Sequence, residues 1–243
     1  MKILILFLLV VDLGADEVIA QGWEIQYENL SEYYYDLHFI DENTGWSIET
    51  NTTGKILKTT NKGENWIEIS SSQFEAGTGI YFNDDTKGWI SGSSGQLYKT
   101  TNGGYNWILS QCNTCNHTDD FIDIQFINQF TGWAYGDGGI FKSTNGGINY
   151  FEQPNKNYVF NGIFLDSLTG FTISSHVIVC ALSKSTDGGS SWERYLTPTH
   201  SGLGIYFINS QTGWICTHGG EILKTENSGL NWTHQLNNNT SLL

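Results

Sequence analysis

IYFNDDTKGWISGSSGQLYKTTNGGYNW, residues 80–107, contains in one unit every signal that sets the fold. Phe82 lies six residues before the Gly88-Trp89 pair, and Leu97-Tyr98-Lys99 leads into an eight-residue element running from Thr100 to Trp107. The same order of signals occurs five times. Phe39, Phe82, Phe126, Phe164 and Phe207 precede Gly45-Trp46, Gly88-Trp89, Gly132-Trp133, Gly170-Phe171 and Gly213-Trp214, always by six residues. The eight-residue element reads Ser/Thr-x-Asn/Asp-x-Gly-x-x-Trp/Tyr. Its closing aromatics, Trp66, Trp107, Tyr150, Trp192 and Trp232, are 41, 43, 42 and 40 residues apart. Self-similarity at such a period marks a repeat architecture.

Each unit divides into four short strands. The first carries the Phe behind an apolar residue two positions earlier, as in Leu37/Phe39 and Ile80/Phe82, the period of a strand with one better-buried face. The second begins at the Gly-aromatic pair, the third is the Lys55-Ile56-Leu57-Lys58 type of run, and the fourth starts at the closing aromatic. Four strands in about 40 residues predict an all-β fold, a β-propeller of four-stranded blades. The repeats fall at residues 31–70, 74–111, 118–153, 157–196 and 201–236 of a domain spanning 21–243. Trp23 precedes Trp66 in phase with the repeat, so it reads as a surplus fourth strand. Five repeats then fit part of a seven-bladed ring, and the rival is a closed five-bladed ring with the Trp23 strand outside the fifth blade.

The eight-residue element is an Asp box. Asn61, Asn102, Asn145, Asp187 and Asn227 are expected to bond backbone N–H groups two residues on and close the turn between third and fourth strands. Gly63, Gly104, Gly147, Gly189 and Gly229 are the same in all five copies, as a positive φ at that position requires. Trp66, Trp107, Tyr150, Trp192 and Trp232 then fold under the turns. These boxes read as structural elements, with no cofactor or metal attached to them.

Ahead of the repeats, Lys2, the apolar run Ile3 to Val11 and the ending Val18-Ile19-Ala20 have the layout of a secretory signal over residues 1–20, cleaved before Gln21. The run is too short for a membrane span of about 20 residues. The chain is therefore expected to be secreted or periplasmic, with no membrane span after cleavage. Its net charge of −14 repels nucleic acid and anionic lipid, and Arg194 is the only arginine. In an exported chain Cys112 and Cys115 are expected to form a local disulfide, because no second ligand pair sits at zinc-site spacing. The pairing of Cys180 and Cys216 is left open.

The string of Phe, Gly-Trp, Ile-Leu-Lys-Thr and Asn-Gly-Gly-x-x-Trp, from Trp23 to Trp232, resembles the BNR/Asp-box propellers of the photosystem II stability/assembly factor type. The resemblance implies a propeller with a non-catalytic, partner-binding habit. Photosynthetic members are seven-bladed lumenal factors that reach nascent reaction-centre subunits with an arginine-rich patch, which Arg194 alone cannot form.

Asp boxes also occur in glycosidases. Sialidases grip a carboxylate with three arginines, and this chain has one. A carboxylate-pair glycosidase needs two facing acids about 5 to 9 Å apart. In a propeller the loops entering first strands share one face with those joining second and third strands. That face carries Tyr33, Tyr34, Tyr35, Glu75, His117, Asp119, Asp120, Tyr135 and Asp137. Aromatic anchors beside polar groups there suit an interface. The sequence therefore reads as an interaction platform for a protein partner, and the alternative is a carbohydrate-active propeller, either a lectin or a glycoside hydrolase.

Overall fold

The computed structural model describes residues 33–49, 54–70, 77–112, 114–115, 120–154, 158–176, 179–199 and 202–237. The signal segment 1–20 and Trp23 lie outside them. Every regular element among the described residues is a strand. The first sheet is β1 (Tyr34–Phe39), β2 (Gly45–Glu49), β3 (Ile56–Thr59) and β4 (Ile67–Ser70), and the second is β5 (Gly77–Phe82), β6 (Gly88–Gly92), β7 (Leu97–Thr100) and β8 (Ile108–Leu109). After β9 (Gln111–Cys112) the third sheet contains β10 (Phe121–Phe126), β11 (Gly132–Gly136), β12 (Gly139–Ser143) and β13 (Asn149–Glu152). The fourth is β14 (Asn161–Phe164), β15 (Gly170–His176), β16 (Val179–Ser185) and β17 (Glu193–Leu196). The fifth is β18 (Gly202–Phe207), β19 (Gly213–Thr217), β20 (Glu221–Thr225) and β21 (Thr233–Asn237). Within each sheet these four strands are antiparallel and in chain order, and successive sheets pack through their first strands. The fold is a β-propeller.

The blade interfaces explain the repeat. Trp46 stacks on Phe82 of the next sheet at 3.8 Å between ring centroids, Trp89 on Phe126 at 3.6 Å, Trp133 on Phe164 at 3.5 Å, and Phe171 on Phe207 at 3.8 Å. Each tryptophan of the first three also donates its indole N–H to an Asp-box carbonyl of that next sheet, at Gly103, Gly146 and Gly188. Offset or parallel aromatic pairs add about 0.5 to 1.5 kcal/mol beyond their buried area. The Gly before each aromatic leaves room for its own sheet's Phe: a Cβ on Gly88 would stand 2.5 Å from Phe82.

At the ends of the arc these pairings stop. Phe39 and Trp214 are half-buried, where Phe82, Phe126, Phe164 and Phe207 are buried beneath the preceding blade. Among the described residues the fifth sheet does not pack on the first as the consecutive sheets do. The described sheets thus form a partial ring and not the closed five-bladed one. Cys180 faces the fourth–fifth interface with Leu182, while Cys216 shares the far face of the fifth sheet with Trp214, so both remain free thiols.

Candidate functional site

On one face of the disc the five Asp boxes repeat a single hydrogen-bond pattern. In the first, the Thr59 hydroxyl donates to Asn61 Oδ1 and accepts the N–H groups of Asn61 and Gly63, while Asn61 Oδ1 accepts from Asn65 N–H at 3.0 Å. Thr100, Ser143, Ser185 and Thr225 do the same for Gly104, Gly147, Gly189 and Gly229. The expectation of an Asn closing onto the N–H two residues on is corrected here. That N–H belongs to the invariant Gly and is taken by the box's first hydroxyl, which leaves the Asn oxygen to reach four residues on. All five invariant glycines have positive φ, from 77° to 96°. A second turn lies beside each box. Asp41, Asp84, Asn128, Asp166 and Asn209 each accept the N–H groups two and three residues on. Trp66, Trp107, Trp192 and Trp232 are only half-buried under the turns, whereas Tyr150 is buried.

On the opposite face the loops differ from blade to blade. Tyr33 and Tyr35 are 64% and 53% exposed, and Tyr34 is half-buried. Tyr35 is the extra residue of a β-bulge, since the register slips between Tyr34 and Asp36, and a bulge re-aims the side chain it extrudes. Asp120 accepts the Ser94 N–H on Oδ1 at 3.0 Å, and its backbone carbonyl accepts the Asp137 N–H. This approach is close enough that a Cβ on Gly136 would stand 2.1 Å from the Asp120 carbonyl oxygen. Asp137 heads the β11–β12 turn and takes a hydrogen bond from the Tyr158 phenol. Tyr158, 38% exposed, lies edge-on to Phe160 at 4.5 Å. Burial, then the charge and hydrogen bond of Asp137, hold the Tyr158 phenol above its usual value, and Tyr35 and Asp120 add to the rise. The Tyr158 phenol of blade four thus lies within the field of Asp137 and Asp120 of blade three and of Tyr35 of blade one.

Tyr135 does not join them, which is a correction. It is 0% exposed and packs with Trp133, Ile140, Val159 and Phe164. The reason is Gly162, which stands where the other first strands have Leu37, Ile80, Ile124 and Ile205; the Tyr135 ring fills the vacated space. Glu75, His117 and Asp119 lie outside the described residues. Cys112 and Cys115 are joined by a disulfide. β9, which ends at Cys112, pairs parallel to β13 as a fifth strand of the third sheet and covers its edge.

The first strands wall a groove of about 880 Å³, lined by Asp36, Asp123 and Asn161 and reaching Asp41, Glu42 and Lys62 on the Asp-box side. Asp36 accepts N–H groups from its own Leu37 and the next blade's Ile80, both at 2.8 Å. Asp123 accepts from Ile124 N–H and from the Asn161 amide, and Asn161 accepts from Ile205 N–H. These side chains tie neighbouring blades at the groove wall. Burial pushes Asp36 up to about 6 against the pull of the two N–H groups, and burial with the Asp123 charge pushes Tyr81 up to about 12. Among the described residues no three metal-ligating side chains converge.

Sequence reasoning missed Tyr158, although a signal was present. It sits six residues before Phe164, the position that Tyr33 and Asp120 hold before Phe39 and Phe126.

With this architecture in view, the family described as photosynthesis system II assembly factor YCF48 matches residues 111–242. The chain belongs to that family. Among solved structures it is similar to YCF48 bound to D1 peptide, 21% identical with a TM-score of 0.65 over 83% of this chain and 66% of that one. It is also similar to YCF48 from Cyanidioschyzon merolae, at 17% identity and a TM-score of 0.66 over 84% and 72% of the two chains. The GH74 enzyme of Niastella koreensis is 19% identical with a TM-score of 0.69, over 84% of this chain and 38% of the enzyme. Likenesses at these identities establish the fold alone, and the chain spans less than two-thirds of the D1-peptide-bound YCF48 and of the enzyme. No curated protein matches it in sequence.

Proposed function

We propose that this chain is an exported, non-catalytic propeller that binds a protein partner through the face carrying Tyr35, Asp120, Asp137 and Tyr158. The observation that carries the reading is that loops of blades one, three and four, which differ from blade to blade, carry the exposed rings of Tyr35 and Tyr158 with Asp120 and Asp137, whereas the Asp-box face repeats one set of turn hydrogen bonds in all five blades. The YCF48 family supports a binding role, and the D1 peptide bound to one member is a precedent for a polypeptide ligand. Export rests on the signal-like segment 1–20.

The test is a comparison of two aromatic surface variants. A partner cross-linked and recovered from the native exported fraction is measured against purified Tyr35→Ala/Tyr158→Ala and against Tyr105→Ala, whose exposed ring lies on the Asp-box face. The proposal expects weakened binding in the first and unchanged binding in the second, and equal binding by both would defeat it. The GH74 likeness favours a second reading as a carbohydrate-active propeller. Soluble oligosaccharides that raise the melting temperature, and raise it less in Tyr35→Ala/Tyr158→Ala, would establish that reading instead.

A further inference from the structure

We infer that the Cys112–Cys115 disulfide is a reducible latch that holds β9 on the outer edge of blade three, and that a dithiol opens it. β9 begins in blade two. There the closing Trp107 is followed by a fourth strand of only two residues, β8, where β4, β13 and β17 have four and β21 has five. The Ser110 N–H still bonds within blade two, to the Leu97 carbonyl, but the next N–H, that of Gln111, goes to the Ile148 carbonyl of blade three at 2.9 Å. Gln111 and Cys112 then run parallel to Asn149 and Tyr150, and the Thr114 hydroxyl accepts the Glu152 N–H. In blades one and four the corresponding stretch stays with its own sheet, where Ser70 pairs with Ile56 and Leu196 with Ala181. Residues 110–112 therefore have two places to pair: the third strand of their own blade and the edge of the next.

The crossing between them is costly. The Ser110 hydroxyl and the Asn149 side-chain oxygen are buried there without a hydrogen-bond partner, and buried polar atoms left unpaired cost free energy. Against that cost β9 sets two ladder pairs. The disulfide supplies the rest: it ties the turn after β9, which keeps Thr114 beside Glu152, and its cysteines pack on the cluster of Trp89, Leu97, Phe126 and Tyr150 from blades two and three. Both cysteines are only half-buried and Thr114 between them is exposed, so a thiolate can reach the bond. The first thiolate of a dithiol attacks one sulfur and breaks the S–S bond to give a mixed disulfide, and its second thiol then displaces the chain's sulfur. Two electrons and two protons pass to Cys112 and Cys115 as thiols, and the reductant leaves as a disulfide. With the latch open β9 leaves blade three, and β13 becomes an uncovered edge able to take another strand.

The experiment is hydrogen–deuterium exchange of the full chain, oxidised and after treatment with dithiothreitol, with the mass gain of two hydrogens confirming complete reduction. Cys180 and Cys216 are free thiols already and do not change state. Reduction should speed exchange of the Gln111 and Glu152 amides about tenfold while blades four and five keep their protection. Cys112→Ser/Cys115→Ser should show the reduced pattern with no reductant present. Unchanged protection of Gln111 and Glu152 after complete reduction would overturn the inference, since β9 would then hold its edge without the bond. A Cys112→Ser/Cys115→Ser chain as protected there as the oxidised one would do the same. So would faster exchange in every blade on reduction, because the disulfide would then stabilise the whole chain and not latch one edge.

Discussion

The two faces of this disc are built from the same repeat yet treat it differently. On the Asp-box face, five copies place the same hydroxyl, the same Asn or Asp oxygen and the same positive-φ Gly in the same bonds. On the other face, corresponding positions hold an exposed Tyr33, an Asp120 and a Tyr158. Contacts between blades exist there too, such as Ser94 N–H to Asp120 and Val159 N–H to the Gly136 carbonyl, but they differ from one pair of blades to the next. The aromatic stacks and the box carbonyls recur at successive blade interfaces, so the Asp-box face is fixed by a shared packing requirement that the varied contacts of the other face do not impose.

That contrast can be broken from the stability side first. Trp133 is fully buried, stacks on Phe164 and donates to the Gly188 carbonyl, so Trp133→Ala should cost about 3 to 5 kcal/mol in denaturant unfolding. Gly147→Ala should follow at about 1 to 3 kcal/mol, because its Cβ would stand 2.4 Å from the indole nitrogen of Trp89 at a φ of 77°. Tyr158→Ala on the opposite face should change stability by only ~1 kcal/mol or less, while weakening partner binding. A cost near that of Trp133→Ala would mean that this face, too, is structural.

Acid titration sharpens the same contrast with a smaller effect. Hydrogen bonds from Ser191 hold Asp187 of the fourth box down at about 2, below its ordinary 3.8. Its contribution is therefore present above 3.8 and lost as the pH falls from there through 2. Asp36 in the groove wall has the opposite sign. Raised to about 6, it favours the folded state below 3.8, and that contribution is lost as the pH rises through 6. Asp187→Asn should flatten the acid limb of a melting-temperature profile, and Asp36→Asn the stretch between about 4 and 6.

The fold was legible because blade packing demands a Phe, a Gly-aromatic pair and a box at fixed offsets, and no other arrangement stacks Trp46 on Phe82 and Trp89 on Phe126 alike. What spacing could not convey was which partner each residue meets. The indole N–H bonds cross to the next blade, 55 to 57 residues away. Tyr135 was misplaced on the surface because its burial depends on a missing side chain in another strand, Gly162. Half of the proposed binding face was readable from Tyr35, Asp120 and Asp137 as loop residues. Their convergence with Tyr158 depends on the curvature of the arc, which no single repeat encodes.

The central claim, that partner binding belongs to the non-repeating face, is tested most directly by hydrogen–deuterium exchange of the chain with and without its bound partner. Added protection is expected in the segments containing Tyr33–Asp36, Asp120, Asp137 and Tyr158, with the five Asp-box turns unchanged. Protection concentrated at Asn61–Trp66, Asn102–Trp107 and the equivalent turns, with the segments of the opposite face unchanged, would contradict it.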